Sequence, residues 1–590
     1  MTVAAVPPAV EGSLRTLPGG TVDDASARKA RGAFFTPPAL CAWMTEWALR
    51  GPGDAVLEPS CGEAAFLTAA AHRLAGLGGG SRTVPRLHGV ELHGPSAEHA
   101  RRLVDGATAG ARVDVAVTTS DFFDVPPRPV YDVVLGNPPF VRYQDFSGEA
   151  RAKAREAALA AGVRLSALAS SWAAFVVHAT RFLAPGGRLA LVLPAELLSV
   201  NYAAGVRDHL MRTFAHVKLV LFTERVFPGV LEEVVLLLAE GQGPTDHCEL
   251  VQVRDVAELL TVDPRTAQAA DAARWRPASP RGKWTPAMLA AADLDAYDAA
   301  LAGEGVTTLS AWGETSLGGV TGNNRYFTLT QAQAEQWGLQ PGRDLTRISP
   351  PGSRHLRGLD LGRAAWTHLA DAARPVWLFR PGTAPSPQAR AYLAHGEQLG
   401  VPDAYKCRVR TPWWRTPLPG VADLLLTCMN ADTPRLVGNG ARVHHLNSVH
   451  GVYLRDDVPE AARRLLPVAA LTSLTLLGAE TVGRAYGGGM LKLEPGEADH
   501  LPLPTPAAVL ASADELAAAR PRVADALAGG RLLDAVALVD AVLLGPGNAL
   551  GVDPVAAPVL ARARAGLAAR RHARGTSKPP AAVDDSGVAR

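Results

Sequence analysis

The sequence predicts an α/β fold: a doubly wound sheet with helices on both faces, then a mixed, largely β domain and a helical tail. Three observations carry this reading. Between residues 28 and 240, short apolar runs alternate with Ala/Leu-rich stretches of helical length. From about 301 to 505, Trp, Arg, His and Gly become frequent and turn signals crowd together. Beyond 505 the chain is again rich in Ala and Leu, which reads as helix. The 590 residues allow several domains, and a 47% hydrophobic, 20% charged composition is that of a globular chain rather than a disordered one.

In order, residues 1–27 are Ala-, Pro-, Gly- and Thr-rich without periodicity, an expected flexible lead-in. Strands are expected at 55–57, 86–90, 113–117, 130–135 and 188–193, with helices such as 64–77 and 96–104 between them. Two further runs, 217–221 and 233–238, are joined by a Pro-Gly turn and suggest a terminal antiparallel hairpin, giving seven strands over 28–240. Residues 241–300 read as a connector that mixes short strands with Pro- and Ala-rich stretches, 301–505 as the second domain, 506–572 as a helical region and 573–590 as a disordered tail. The apolar stretch 465–477 is broken by Pro467, Thr472 and Ser473 and is too short to span a bilayer, so it is expected in a core. No internal repeat is visible.

A net charge of +2 requires any nucleic-acid surface to be a local patch. Arginine greatly outnumbers lysine, which fits either a GC-rich coding bias or clustered phosphate contacts. Five scattered cysteines without a C-x-x-C pair argue against a zinc site or a disulfide framework and fit a reducing cytoplasm. No basic start followed by an apolar core marks a signal peptide, and no membrane segment or metal site is expected.

Five short segments carry chemistry. Asn137-Pro138-Pro139-Phe140 closes the fourth apolar run. Two prolines cannot continue a strand ladder, so the chain leaves the sheet in a stiff turn. Such a turn can offer carbonyl oxygens to an exocyclic NH2 and an aromatic face to a flat ring, although Asn-Pro is also an ordinary turn initiator. Glu58-Pro59-Ser60-Cys61-Gly62 ends the first strand; its acid could accept a cationic amino-acid group, and Gly62 permits close backbone approach. Glu91 ends the second strand, where a carboxylate can hold a ribose diol or simply be solvated. Asp121-Phe122 follows the third strand and could hold the amino group and face of an adenine. Before all of these, Phe35-Thr36-Pro37-Pro38 precedes a helix; Thr36 reads as its N-cap with Pro37 at the first helical position. The four strand-end sites lie on the carboxyl edge, where open α/β sheets bind ligands.

Taken in chain order, from Phe35-Thr36-Pro37 through Glu58, Glu91 and Asp121 to Asn137-Pro138-Pro139-Phe140, the segments resemble the γ-class amino-methyltransferases that modify adenine N6 in DNA, especially those of restriction–modification systems. The resemblance is strong over about 28–240 and weaker to about Pro504. It implies a class I methyltransferase domain with a C-terminal target-recognition domain, and S-adenosylmethionine as cofactor. It further implies cofactor contacts from Phe35, Thr36, Glu58, Pro59, Cys61, Gly62, Glu91, Asp121, Phe122 and Asn137. Asn137, Pro138, Pro139 and Phe140 would form the catalytic turn. The chain departs from the family at Ala64, where a second glycine is usual. An aromatic residue after the fifth strand often sandwiches the flipped base, and Tyr202 is the candidate here. Double-stranded DNA is the implied partner, with Asn324, Arg325, Arg354, Arg357, Arg408, Arg410, Trp413 and Trp414 as candidate contacts. Any cognate restriction endonuclease is expected to be a separate chain. Other N-P-P-aromatic methyltransferases act on RNA bases or protein glutamine amides, and a non-catalytic DNA-specificity protein could keep the fold. The Phe35-Thr36-Pro37-Pro38 segment and the Trp/Arg-rich C-terminal region favour DNA.

Overall fold

The computed structural model describes residues 36–78, 84–224, 226, 233–267 and 273–575. These fall into two compact units, one within 1–194, 202–228 and 233–281, the other within 195–201, 229–232 and 282–590. The expected flexible lead-in lies outside the described residues.

The first unit opens with helix α1 (Pro38–Ala48), followed by β1 (Ala55–Glu58), α2 (Ala65–Leu77), β2 (Arg86–Glu91), α3 (Gly94–Ala107), β3 (Asp114–Thr119) and β4 (Tyr131–Gly136). Helices α4 (Gly148–Leu159) and α5 (Ser171–Ala179) precede β5 (Leu183–Pro194), after which come β6 (His216–Phe222), β7 (Val234–Glu240), β8 (Cys248–Val253) and β9 (Ala273–Trp275). One sheet holds all nine strands in the order β3-β2-β1-β4-β5-β7-β6-β8-β9. Strands β3 through β5 are mutually parallel, and β7 runs antiparallel between β5 and β6.

Burial explains the order. β1 is buried at every residue, and so is the stretch from Val234 to Ala239 of β7, as expected of strands covered on both faces. β3, with mostly exposed or half-exposed residues, forms an edge. The β6–β7 pair is antiparallel as expected, but it is not terminal. β8 pairs parallel to β6, and β9 pairs antiparallel to β8, within the stretch expected to be a connector. Buried Cys248, Leu250, Val251 and Val253 give β8 the apolar surface that holds it on the sheet.

The first helix also differs from expectation. Pro38, not Pro37, occupies its first position, and Pro37 is the N-cap residue. Either proline fits a first-turn φ, so the pair left the start ambiguous by one residue. Thr36 is thereby released from capping.

The second unit contains a four-stranded antiparallel sheet built from Gly313–Leu317, Val449–Leu454, Leu424–Thr427 and Leu436–Gly438. Smaller sheets surround it, among them Thr328–Leu329, Trp377–Phe379 and Leu345–Arg347. The apolar stretch 465–477 is split between two helices, Glu460–Ala469 and Ser473–Val482, bent by 76° and largely buried. Among the described residues no single helix is long and apolar enough to cross a membrane. The final helix runs from Ala556 to Gly575, past the expected end at 572. Its Arg571 forms a buried bidentate pair with Glu480 at 2.8 and 3.0 Å.

Ala64, where the resemblance led to glycine being expected, is the N-cap of α2 at φ +59°, ψ +35°. A left-handed conformation costs a non-glycine residue roughly 1–2 kcal/mol. Replacing it by glycine removes that cost and adds chain entropy to the unfolded state. Ala64→Gly is therefore expected to raise stability by about 0.5–1 kcal/mol, read from the shift in denaturant midpoint. Unchanged or reduced stability would show that the loop has another source of constraint.

Candidate active site

β1 pairs with β2 on one side and β4 on the other, all parallel. The strand order reverses at β1/β4, the point where an open α/β sheet forms a crevice at the carboxyl ends. Glu58 stands at the end of β1 and is 2% exposed. Its Oε2 accepts the Leu67 N–H at 3.1 Å, serving the first turn of α2 where Ala64 has no side chain to cap it. Burial pushes the Glu58 carboxyl well above the usual carboxylate range; the Leu67 N–H opposes this, and the Glu91 charge adds to it.

Glu91 has a different environment. Its two oxygens accept the N–H groups of Gly62 and His93, each at 2.9 Å, so the carboxylate ties the β1–α2 loop to the β2–α3 loop. Gly62 takes φ +50°, and the space where a Cβ would stand is open. Cys61 is buried, and its N–H donates to Val90 O at 2.9 Å. Gly89 could not carry a side chain, since a Cβ there would lie 2.9 Å from Cys61 Sγ.

Asn137 follows β4 through Gly136, whose φ of +156° brings the turn close against Glu58 and Pro59. The amide Nδ2 donates to Thr36 Oγ1 at 3.2 Å, and Ser60 Oγ donates to the Asn137 carbonyl at 3.3 Å. The segment before the sheet and the loop after β1 therefore both grip the turn. Glu58, Gly62, Glu91, Thr36 and Asn137 are thus linked at one sheet edge, and Phe35 lies outside the described residues.

Asp121 caps the short 3-10 turn Phe122–Asp124, accepting the Phe123 N–H at 3.0 Å. Phe122 is 2% exposed and stacks on Phe175 and Phe182 at 5.3 and 5.1 Å, with His178 edge-on at 4.8 Å. Its ring supports the Asp121 turn from the core and does not stand open as a wall. Burial lowers His178 to about 4, so it is neutral in this cluster. The Tyr202 hydroxyl accepts from Trp172 Nε1 at 3.2 Å.

Two residues carry no signal in the sequence, Ser171 and Trp172, and Ser60 stands in the Glu58–Gly62 loop without an assigned role. Ser171 is the first residue of α5, and its Oγ lies 2.5 Å from Pro139 O and 2.9 Å from Val141 N. No local pattern marks it, because its partners are about thirty residues away in sequence.

In the second unit, the candidate contacts divide. Arg325, Arg354 and Arg408 are exposed. Arg357 pairs with Asp432 at 2.9 Å, and Arg410 donates to the Thr321 and Val320 carbonyls. Asn324 accepts from Thr321 Oγ1 at 2.6 Å. Trp413 and Trp414 are half-buried against a core of Tyr326, Phe327, Phe379 and Tyr392. All five cysteines are free and buried, and among the described residues no group of His, Cys, Asp and Glu is placed to hold a metal.

A sheet reversed at β1/β4, with acids ending β1 and β2 and an Asn-Pro-Pro-Phe turn ending β4, is the layout of a class I methyltransferase domain. Residues 23–270 match the family described as N-6 DNA Methylase, and 281–544 match the C-terminal domain of Type II methyltransferase M.Eco57I. The two family matches, together with the relatives below, support an N-6 DNA methylase of the restriction–modification type. It is 22% identical to Type II methyltransferase M.AccI of Acinetobacter calcoaceticus over 483 residues, 80% of this chain and 84% of that protein. Type II methyltransferase M.XamI of Xanthomonas campestris pv. amaranthicola is 25% identical over 497 residues, covering 80% and 85%. Type II methyltransferase M.TthHB8I of Thermus thermophilus is 30% identical over 223 residues, covering 36% and 46%.

The Glu58 environment gives a pH-dependent stability with a definite sign. A carboxyl whose folded pKa is raised contributes stability that is complete below its ordinary value of 4.5 and is lost as pH rises through the folded value. Glu58→Gln keeps an oxygen for Leu67 N–H and cannot ionise. Its melting temperature should match wild type at pH about 4 and exceed it at neutral pH; equal values across the range would contradict the burial argument.

Proposed function

We propose that the protein is an S-adenosylmethionine-dependent DNA methyltransferase that methylates N6 of an adenine flipped out of duplex DNA. The observation that carries this reading is Asn137-Pro138-Pro139-Phe140 at the β4 end, its amide tied to Thr36 and its carbonyl to Ser60. The family assignment and the Type II methyltransferase relatives support the same reaction class.

The chain's residues fit the cofactor. Glu58 is a desolvated carboxyl that a cationic amino-acid group would stabilise in its charged form. Open space over Gly62 admits close approach of a ligand to the loop backbone. Glu91 ends β2 and Asp121 follows β3 by two residues, where a ribose and an adenine amino group would lie. The bound cofactor supplies a methyl group already activated on a sulfonium, so the protein's task is to position the nucleophile.

The nitrogen of an adenine amino group is poorly nucleophilic because its lone pair is delocalised into the ring. The Asn137 side-chain oxygen and the Pro138 carbonyl accept the two amino hydrogens, which favours a pyramidal nitrogen and localises the lone pair. The rigid prolines fix those two acceptors relative to each other. Phe140 stacks on the base, with Tyr202 on its other side, recovering roughly 1–3 kcal/mol of the flipping cost. The second unit reads the sequence, with Arg325, Arg354 and Arg408 available for phosphate or base contacts. In a restriction–modification or related defence system, such an enzyme protects host sites against a separately encoded endonuclease.

Methyl transfer from labelled cofactor should appear in duplex DNA and not in RNA or protein. Asn137→Ala should reduce it by at least about a thousandfold while cofactor binding survives. Label entering RNA or a glutamine amide would replace this reading, and wild-type turnover by Asn137→Ala would remove the turn from catalysis. Because the free enzyme binds a proton at Glu58 that a cationic ligand displaces, cofactor affinity should rise with pH and level off above the folded pKa. Calorimetry in buffers of different ionisation enthalpy would register the released proton; none released would exclude Glu58 as the counter-charge.

A further inference from the structure

Phe140 lies between two backbone groups held by one side chain. Ser171, 2% exposed at the start of α5, donates its hydroxyl hydrogen to Pro139 O at 2.5 Å and accepts the Val141 N–H at 2.9 Å. Its own N–H donates to Val141 O at 3.0 Å. A serine hydroxyl has one hydrogen and two lone pairs; with its hydrogen on Pro139 and a lone pair on Val141, its rotor is fixed. The backbone on both sides of Phe140 is therefore fastened to a helix whose nine residues are all buried.

The next residue extends the arrangement. Trp172, 0% exposed, donates Nε1–H to the Tyr202 hydroxyl at 3.2 Å, with ring centroids 5.9 Å apart. Farther along the same helix, Phe175 and His178 pack on Phe122 beside Asp121. We infer that Ser171 and Trp172 are positioning residues that set the relative placement of Phe140 and Tyr202, the two aromatic walls of the base pocket. The inference rests on the function proposed above. Neither residue touches the reacting atoms; they act through the turn and through Tyr202. The sidedness of the Ser171 bonds matters, because a turn held on one side only could rotate Phe140 while keeping Asn137 in place.

Losing this anchor should misplace a group at the reacting centre by a fraction of an ångström to an ångström, an error worth up to about a hundredfold in rate. Ser171→Ala should therefore lower kcat on duplex DNA by about 30- to 100-fold, with cofactor affinity, measured calorimetrically with S-adenosylhomocysteine, unchanged. Ser171→Thr, which restores a hydroxyl at the same atom, should recover most of kcat. Tyr202→Phe keeps the ring, removes the acceptor for Trp172, and should lower kcat by several-fold, about the worth of one hydrogen bond. It carries the test should Ser171→Ala fail to fold. Wild-type kcat in the folded alanine variant, or in Tyr202→Phe if the alanine variant does not fold, would overturn the inference, as would a lost kcat that threonine does not recover. If Asn137→Ala is inactive while Ser171→Ala keeps wild-type kcat, this inference alone fails. If wild type transfers no methyl group to DNA, the proposed function fails and takes the inference with it.

Discussion

Everything at the site depends on β1 lying between β2 and β4 with all three strands parallel. Parallel pairing sends the carboxyl ends to one edge, and the change of winding direction at β1/β4 opens that edge. The apolar strand residues enforce the register: Val56, Leu57, Val133, Val134 and Leu135 are all essentially buried. A slip of one residue would exchange the faces of every side chain in the strand. Glu58 would then leave the edge it shares with Glu91 and Asn137. The polar site is thus held in place by an apolar lattice beneath it.

Two acids at adjacent strand ends are treated in opposite ways. Glu91 accepts one backbone N–H on each oxygen, from Gly62 and His93, and bridges two loops while keeping further acceptor capacity. Glu58 is buried with one backbone donor, which leaves its charged form poorly solvated. A structure selected only for stability would avoid such a carboxyl. Its presence at the carboxyl edge of the sheet fits a group waiting for a cationic partner, as proposed above. The same logic applies to the Asn137 turn, which is gripped from Thr36, Ser60 and Ser171 in three separate segments. Rigid placement from several directions suits a reaction whose catalysis is mainly orientation.

The parts of this arrangement legible in the sequence were those whose chemistry is local. Apolar runs closed by Glu58, Glu91, Asp121 and Asn137 revealed strand ends and their order. What stayed hidden were pairings across distance. Thr36 looked like a helix cap because two prolines follow it, yet its hydroxyl meets Asn137 a hundred residues later. Phe122 looked like an exposed wall, but the aromatic cluster from α5 draws it into the core. Short strands were expected within 241–300, but that β8 pairs with β6 and extends the main sheet depends on a partner about thirty residues earlier. Arg357, Arg410, Trp413 and Trp414 have the composition of a nucleic-acid surface, while their carbonyl, carboxylate and ring partners lie within their own unit. Only exposure separates them from Arg325, Arg354 and Arg408.

The proposed reaction turns on one atom, the exocyclic nitrogen of adenine. Duplex DNA treated with the enzyme and labelled cofactor, then digested to nucleosides and resolved by liquid chromatography and mass spectrometry, tests it most directly. The label is expected in N6-methyldeoxyadenosine. Label in N4- or C5-methyldeoxycytidine, or none in the nucleosides, would contradict it.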